Sequence, residues 1–168
     1  VGGGIAGSVA AKFTAQAGLK TLFIEKEKTP RNKSCSGIQF MYFEKILGEK
    51  IPKERLCKID LNKIEIHFPN GKSMANPFQM LNFMRKPFDD WLNIVAQKNG
   101  AEFRDECKII DFNEEHDHIM VNVAYKPDWE KQEQIKTRYL IDSSGLRPVI
   151  RKKLRPHDFD NSTLGSTL

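Results

Sequence analysis

The chain has 168 residues, 27 Lys and Arg against 22 Asp and Glu, and a formal net charge of +5, enough length for one domain with a sizeable core. No apolar run approaches the roughly 20 residues of a membrane span, and the basic residues are mixed with acidic ones, which argues against a nucleic-acid surface. Cys35, Cys57 and Cys107 show no C-x-x-C spacing, so neither a disulfide framework nor a structural zinc is expected, and a reducing cytoplasmic setting fits best.

In chain order, the first feature is Gly2-x-Gly4-x-x-Gly7, with Val1 alone in front of it. Gly2 allows a tight strand-to-helix turn, Gly4 a close approach to a pyrophosphate, and Gly7 close helix packing. The amides of Ile5 and Ala6 lie at a helix start that attracts negative charge. A strand usually needs about five or six residues, so the chain is expected to begin inside its first strand. With the polar tail at residues 161–168 it reads as part of a longer protein, truncated at both ends. A helix is predicted over residues 5–17, with Ile5, Val9 and Phe13 on one apolar stripe, Ala6, Ala10 and Ala17 beside it, and Gly18 as the stop. A strand over residues 21–24 then ends at Glu25, the spacing at which an acidic side chain accepts hydrogen bonds from an adenosine ribose.

Residues 26–36 read as a basic loop in which Arg31 and Lys33 are read first as solvated charges, with phosphate ligation as the alternative. A short helix through Phe40, Phe43, Ile46 and Leu47 ends at Gly48, and alternation at Ile64, Ile66 and Phe68 before Asn70-Gly71 predicts a hairpin. After Arg85 a helix with Phe88, Trp91, Leu92 and Val95 on its core face runs to Asn99-Gly100, and Asp89 and Asp90 in its first turn suit the helix dipole. Strands are predicted at 108–112, 119–125 and 135–141, forming an antiparallel meander that ends in Asp142-Ser143-Ser144-Gly145. A basic helix over 147–155 closes the readable pattern. His116 and His118 lack partners at ligand spacing, so no metal site is expected.

The fold class is therefore α/β: a Rossmann-like dinucleotide-binding domain interrupted by a basic loop, a hairpin and a meander. A nicotinamide-binding domain would alternate strand and helix more regularly. In this order of elements the chain resembles the FAD-dependent oxidoreductases with the para-hydroxybenzoate hydroxylase fold, and most of all the geranylgeranyl reductase family. The resemblance covers nearly the whole chain and rests on several motifs. These are Gly2-x-Gly4-x-x-Gly7, Glu25-Lys26, Pro30-Arg31-x-Lys33-x-Cys35-Ser36-Gly37, Arg85-x-x-Phe88-Asp89-x-x-Leu92, Gly100-Ala101 and Ile141-Asp142-Ser143-Ser144-Gly145, with Arg151 six residues on.

The resemblance implies bound FAD. It assigns the pyrophosphate to Gly2, Gly4, Ile5, Ala6 and Gly7, and the adenosine ribose to Glu25-Lys26. It places the flavin pyrophosphate or ribityl region near Arg85, the adenine against the backbone of Ile109, and the flavin along Ser144-Gly145. Cys35-Ser36-Gly37 would approach the isoalloxazine ring. It also implies a single FAD-binding domain over 1–168 that includes the start of a substrate-domain hairpin around 60–84, most of the substrate domain lying outside the chain. The implied activity is reduction of carbon–carbon double bonds in an isoprenoid or lipid, with electrons from NAD(P)H or ferredoxin and peripheral contact with a membrane. Catalytic residues are not assigned, and the isolated fragment is expected to be inactive. Ser144 in place of an acidic residue, and Pro148 where Ser is common, point away from an aromatic hydroxylase. A flavin-dependent monooxygenase or halogenase, and a non-catalytic cofactor-binding fragment, remain alternatives.

Overall fold

The computed structural model describes residues 1–146 and 148–159; the polar tail at 161–168 and Arg147 lie outside them. In chain order the elements are α1 (Ile5–Gln16), β1 (Leu22–Ile24), β2 (Ile38–Phe40), α2 (Phe43–Leu47), α3 (Lys53–Leu56), β3 (Cys57–His67) and β4 (Ser73–Phe83). They continue with α4 (Arg85–Lys98), β5 (Glu102–Arg104), β6 (Cys107–Glu114), β7 (Ile119–Tyr125), β8 (Gln132–Thr137), α5 (Val149–Leu154) and a 3-10 turn at Pro156–Phe159. Among the described residues they divide into two compact units, one of 1–31 with 89–159, the other Asn32–Phe88.

In the first unit β1 and β5 pair in parallel, Leu22 opposite Glu102 and Ile24 opposite Arg104. The chain start is tied to this sheet and to the segment after the last strand: the Val1 amino group donates to Ile141 O (2.6 Å), its carbonyl accepts from Ser143 N (2.8 Å), and Gly2 N donates to Ile24 O (2.8 Å). Beside these bonds lies a cavity of about 780 Å³, walled in part by Leu22, Ile109, Val121, Val123 and Ile141. One face of the parallel pair packs small residues, Ala11 of α1, Ala96 of α4 and Ala101, around the stacked rings of Phe23 and Phe103, 4.5 Å apart. Small side chains let helices approach a sheet closely, and this explains a departure from the sequence pattern. The buried face of α1 is Gly7, Ser8, Ala11 and Lys12, whereas Phe13 is exposed and Ile5 and Val9 are half-buried, so the expected apolar stripe is not the core face.

The expected antiparallel meander is present as β6-β7-β8. Its inward residues Ile109, Phe112, Val121 and Val123 form a second core with Ile24, Cys107 and Ile150. The third strand is Gln132–Thr137, earlier than expected: residues 138–144 leave the meander, and Ile141 and Ser143 bond to Val1 instead. β5 was not expected, because three residues following Gly100-Ala101 are too few for a period to register.

The second unit is a three-stranded antiparallel sheet in the order β2-β4-β3. The hairpin at Asn70-Gly71 is longer than its alternating segment suggested, pairing from Cys57 opposite Phe83 to His67 opposite Ser73. Phe40 lies at the end of β2, and only Phe43–Leu47 of the expected helix is helical, with Gly48 left-handed after it. Leu47, Leu81 and Phe88 are buried, Phe88 stacking on Phe83 at 3.7 Å. Among the described residues no helix is long and apolar enough to cross a membrane.

Candidate functional site

The glycine turn folds back on itself so tightly that side chains are excluded. Gly2 has φ +100°, and a Cβ there would lie 2.4 Å from Ser143 O; a Cβ on Gly7 would lie 1.7 Å from Gly2 O. The turn leads into α1 through Gly4, whose φ of −86° and ψ of −173° are those of an N-cap, but it has no side chain with which to cap. No acidic residue stands in the first turn of α1 either, so the helix offers the N–H groups of Ile5, Ala6 and Gly7 to an acceptor from outside. That is the electrostatic requirement of a pyrophosphate site, and the residues present meet it.

Glu25 follows β1 and is 5% exposed. Its Oε2 accepts from Gly3 N (3.1 Å) and from Arg31 Nη2 (3.0 Å), and its Oε1 from Glu27 N (3.1 Å). A carboxylate is thus joined directly to the glycine turn, while the neighbouring Lys26 is exposed. Arg31 also lies 3.9 Å from Asp89, itself buried. The sequence pattern marked Arg31 as a solvated loop charge and Asp89 as a dipole partner; the structure sets Arg31 between Glu25 and Asp89.

On α4, Arg85, Asp89 and Asn93 recur at four-residue spacing, so they share one face of the helix. Asn93 is buried, its Oδ1 bonded to the Ser8 hydroxyl (2.6 Å), which also reaches Gly4 O (2.9 Å). Among the described residues the Asn93 Nδ2 has no hydrogen-bond partner. Ser8, Arg31, Asp89 and Asn93 were not among the expected site residues. The signal that could have found the last two is a polar i, i+4, i+8 series inside an otherwise amphipathic helix.

The turn after the meander is organised by Asp142. Its Oδ1 accepts from the Ser144 amide (3.0 Å) and hydroxyl, and its Oδ2 from the amides of Ile150 (2.9 Å) and Arg151 (3.2 Å). Burial opposes the Asp142 charge, but these four donors outweigh it and hold the carboxyl below its ordinary pKa. Ser144 is thereby fixed next to the glycine turn, where Ser143 meets Gly2. Gly145 follows at φ +82°. Ile109 lies in the meander core, just before a register shift toward Asp111.

The second unit gathers Cys35, Ser36, Gly37 and Arg85. Asn82 Nδ2 donates to Ser36 O (3.1 Å), and Phe83 N donates to Gly37 O (2.9 Å), pinning this loop to β4. The exposed Cys35 thiol has a lowered pKa, chiefly through the Gly37 backbone, against an opposing effect of burial, with Arg85 adding to the lowering. By contrast burial pushes Cys107 up to about 11.

No family model matches the chain. It is 24% identical over 162 residues to the probable electron transfer flavoprotein-quinone oxidoreductase YgcN of Escherichia coli K12, covering 91% of this chain and 36% of that protein. It is 36% identical over 104 residues to digeranylgeranylglycerophospholipid reductase 2 of Methanopyrus kandleri, covering 61% of this chain and 26% of that one. Among solved structures, a geranylgeranyl bacteriochlorophyll reductase-like protein of Thermoplasma acidophilum matches with a TM-score of 0.69 at 22% identity, over 82% of this chain and 35% of that one. The flavin-dependent halogenase CmlS matches with a TM-score of 0.77 at 21% identity, over 91% and 30% respectively. The chain is similar in sequence to these oxidoreductases and shares the fold of the flavin-dependent enzymes. It spans a little over a third, at 36% and 38%, of the first two curated relatives.

Proposed function

We propose that the chain forms the FAD-binding part of an oxidoreductase that reduces carbon–carbon double bonds in an isoprenoid or other lipid. The observation that carries the FAD reading is the junction of Glu25 with Gly3 at an α1 N-terminus free of capping or acidic side chains. In this reading the amides of Ile5, Ala6 and Gly7 hold the pyrophosphate, Glu25 accepts from the adenosine ribose hydroxyls, and the turn held by Asp142 lines the cofactor through Ser144-Gly145. Cys35 and Arg85, paired within their own unit, are assigned to the flavin side of the site. FAD, when bound, supplies two-electron transfer. The protein's share is to orient it, to shield it, and to position substrate.

The substrate assignment draws on the likeness to digeranylgeranylglycerophospholipid reductases of Methanopyrus kandleri and Methanosarcina acetivorans. The electron donor is assigned to NAD(P)H, ferredoxin or an electron-transfer flavoprotein, the last by analogy with YgcN. A second reading, an oxygen-using halogenase or monooxygenase, is favoured by the fold shared with CmlS. The test is direct. The complete protein that carries this chain should, once purified, absorb as a flavoprotein and release FAD on denaturation, and under anaerobic conditions with reduced flavin an isoprenoid lipid should lose double bonds. Strict dependence on oxygen, with oxygen or halogen in the product, refutes the reductase and supports the second reading.

A further inference from the structure

Glu25 and Asp89 are both buried carboxylates, with side chains 6% and 4% exposed, and the guanidinium of Arg31 (15% exposed) reaches both. Two buried negative charges this close to one cation need that cation: burial strips away the water that would otherwise stabilise them. The loop that delivers Arg31 is itself tethered. Thr29 donates from its amide (2.7 Å) and its hydroxyl (3.0 Å) to Asp105, and Lys126 pairs with Glu27 at 2.9 Å. Arg31 is therefore held in place by contacts on its N-terminal side, independently of Glu25.

The bonds at Glu25 divide its two oxygens. Oε2 is held from the turn by Gly3 and from the loop by Arg31, while Oε1 is held by Glu27. A carboxylate offers about four lone-pair sites, so the three donors set the plane of the group and still leave acceptor capacity. We infer that Arg31 is a positioning residue, which fixes the orientation of the Glu25 carboxylate so that its remaining lone pairs meet the adenosine ribose hydroxyls. This rests on the FAD reading above. Arginine suits the task because its planar fork approaches two carboxylates in a set geometry, which a lysine ammonium does not reproduce.

The experiment is a double-mutant cycle read by FAD titration of the purified apoprotein, following flavin fluorescence. Arg31→Met should weaken FAD binding about tenfold, the size expected for losing a charge-assisted hydrogen bond that orients the ligand's partner. Arg31→Lys should recover part of that loss. In a Glu25→Gln background Arg31→Met should change affinity less than about twofold, since a residue acting through Glu25 has little left to act on. Equal losses in both backgrounds, or no loss in either, overturn the inference while leaving the FAD reading intact. Absence of FAD binding by the unsubstituted protein overturns both. If Arg31→Met does not fold, Arg31→Lys and Arg31→Gln carry the same cycle.

Discussion

Substituting Gly7 by Ala tests the glycine turn most severely. The added methyl would lie 1.7 Å from Gly2 O and 2.9 Å from Gly2 C, and both atoms are backbone, so no side-chain rotation relieves the clash. Bringing the contact to an ordinary 3.4 Å would require the start of α1 to retreat by about 1.7 Å. Gly2 cannot yield in turn, because its own Cβ position is closed by Ser143 O at 2.4 Å and its N–H is bonded to Ile24 O. Overpacking a tight site typically costs about 1–3 kcal/mol. Because this contact is backbone on backbone, the expected loss lies at about 3 kcal/mol, or roughly 6–12 °C in melting temperature for a chain of this length.

Gly100→Ala is the control. Gly100 has φ +97° and open space where a Cβ would go, so it carries the left-handed strain of about 1–2 kcal/mol without any clash. Thermal melts and urea titrations of both variants, followed by circular dichroism, separate the two effects. FAD titration adds a second readout, because moving the α1 N-terminus displaces the donors of Ile5 and Ala6, whereas the Gly100 substitution leaves them in place. A Gly7→Ala protein that loses less than about 1 kcal/mol, below the overpacking range, and keeps FAD affinity refutes the reasoning.

Asp142→Asn removes the charge and turns one of the two oxygens, each accepting from two donors, into an NH2 group that cannot accept, and should cost about 1–3 kcal/mol at neutral pH, measured by urea unfolding. The folded-state pKa of Asp142 is depressed, so its contribution is present above the ordinary carboxylate value and disappears as pH falls through the folded one. The stability gap between wild type and variant should therefore close on acidification, and a gap independent of pH would contradict it. Cys35 should be the fastest thiol to react with iodoacetamide near neutral pH, with Cys107 protected until unfolding; Arg85→Met should slow Cys35. Peptide mapping of the alkylated sites checks the order, and preferential labelling of Cys107 in native protein would contradict it.

Local chemistry was legible in the sequence wherever a residue's job is settled by its neighbours in the chain. The glycine turn, the Gly18, Gly48 and Gly100 stops, the Asn70-Gly71 hairpin and the core face of α4 through Phe88 and Leu92 depend on backbone freedom and periodicity, which sequence carries directly. Tertiary structure decided what depends on distant partners. The buried face of α1 turned to its small residues because helix and sheet must approach closely there, which no helical period encodes. β5 exists because β1 offers it a parallel edge, and Ile141 left the meander because Val1 competes for its backbone. Arg31 and Asp89 look like surface charges on any hydropathy scale. Only the folded chain sets Arg31 between the buried Asp89 and Glu25, where burial makes both carboxylates depend on its charge.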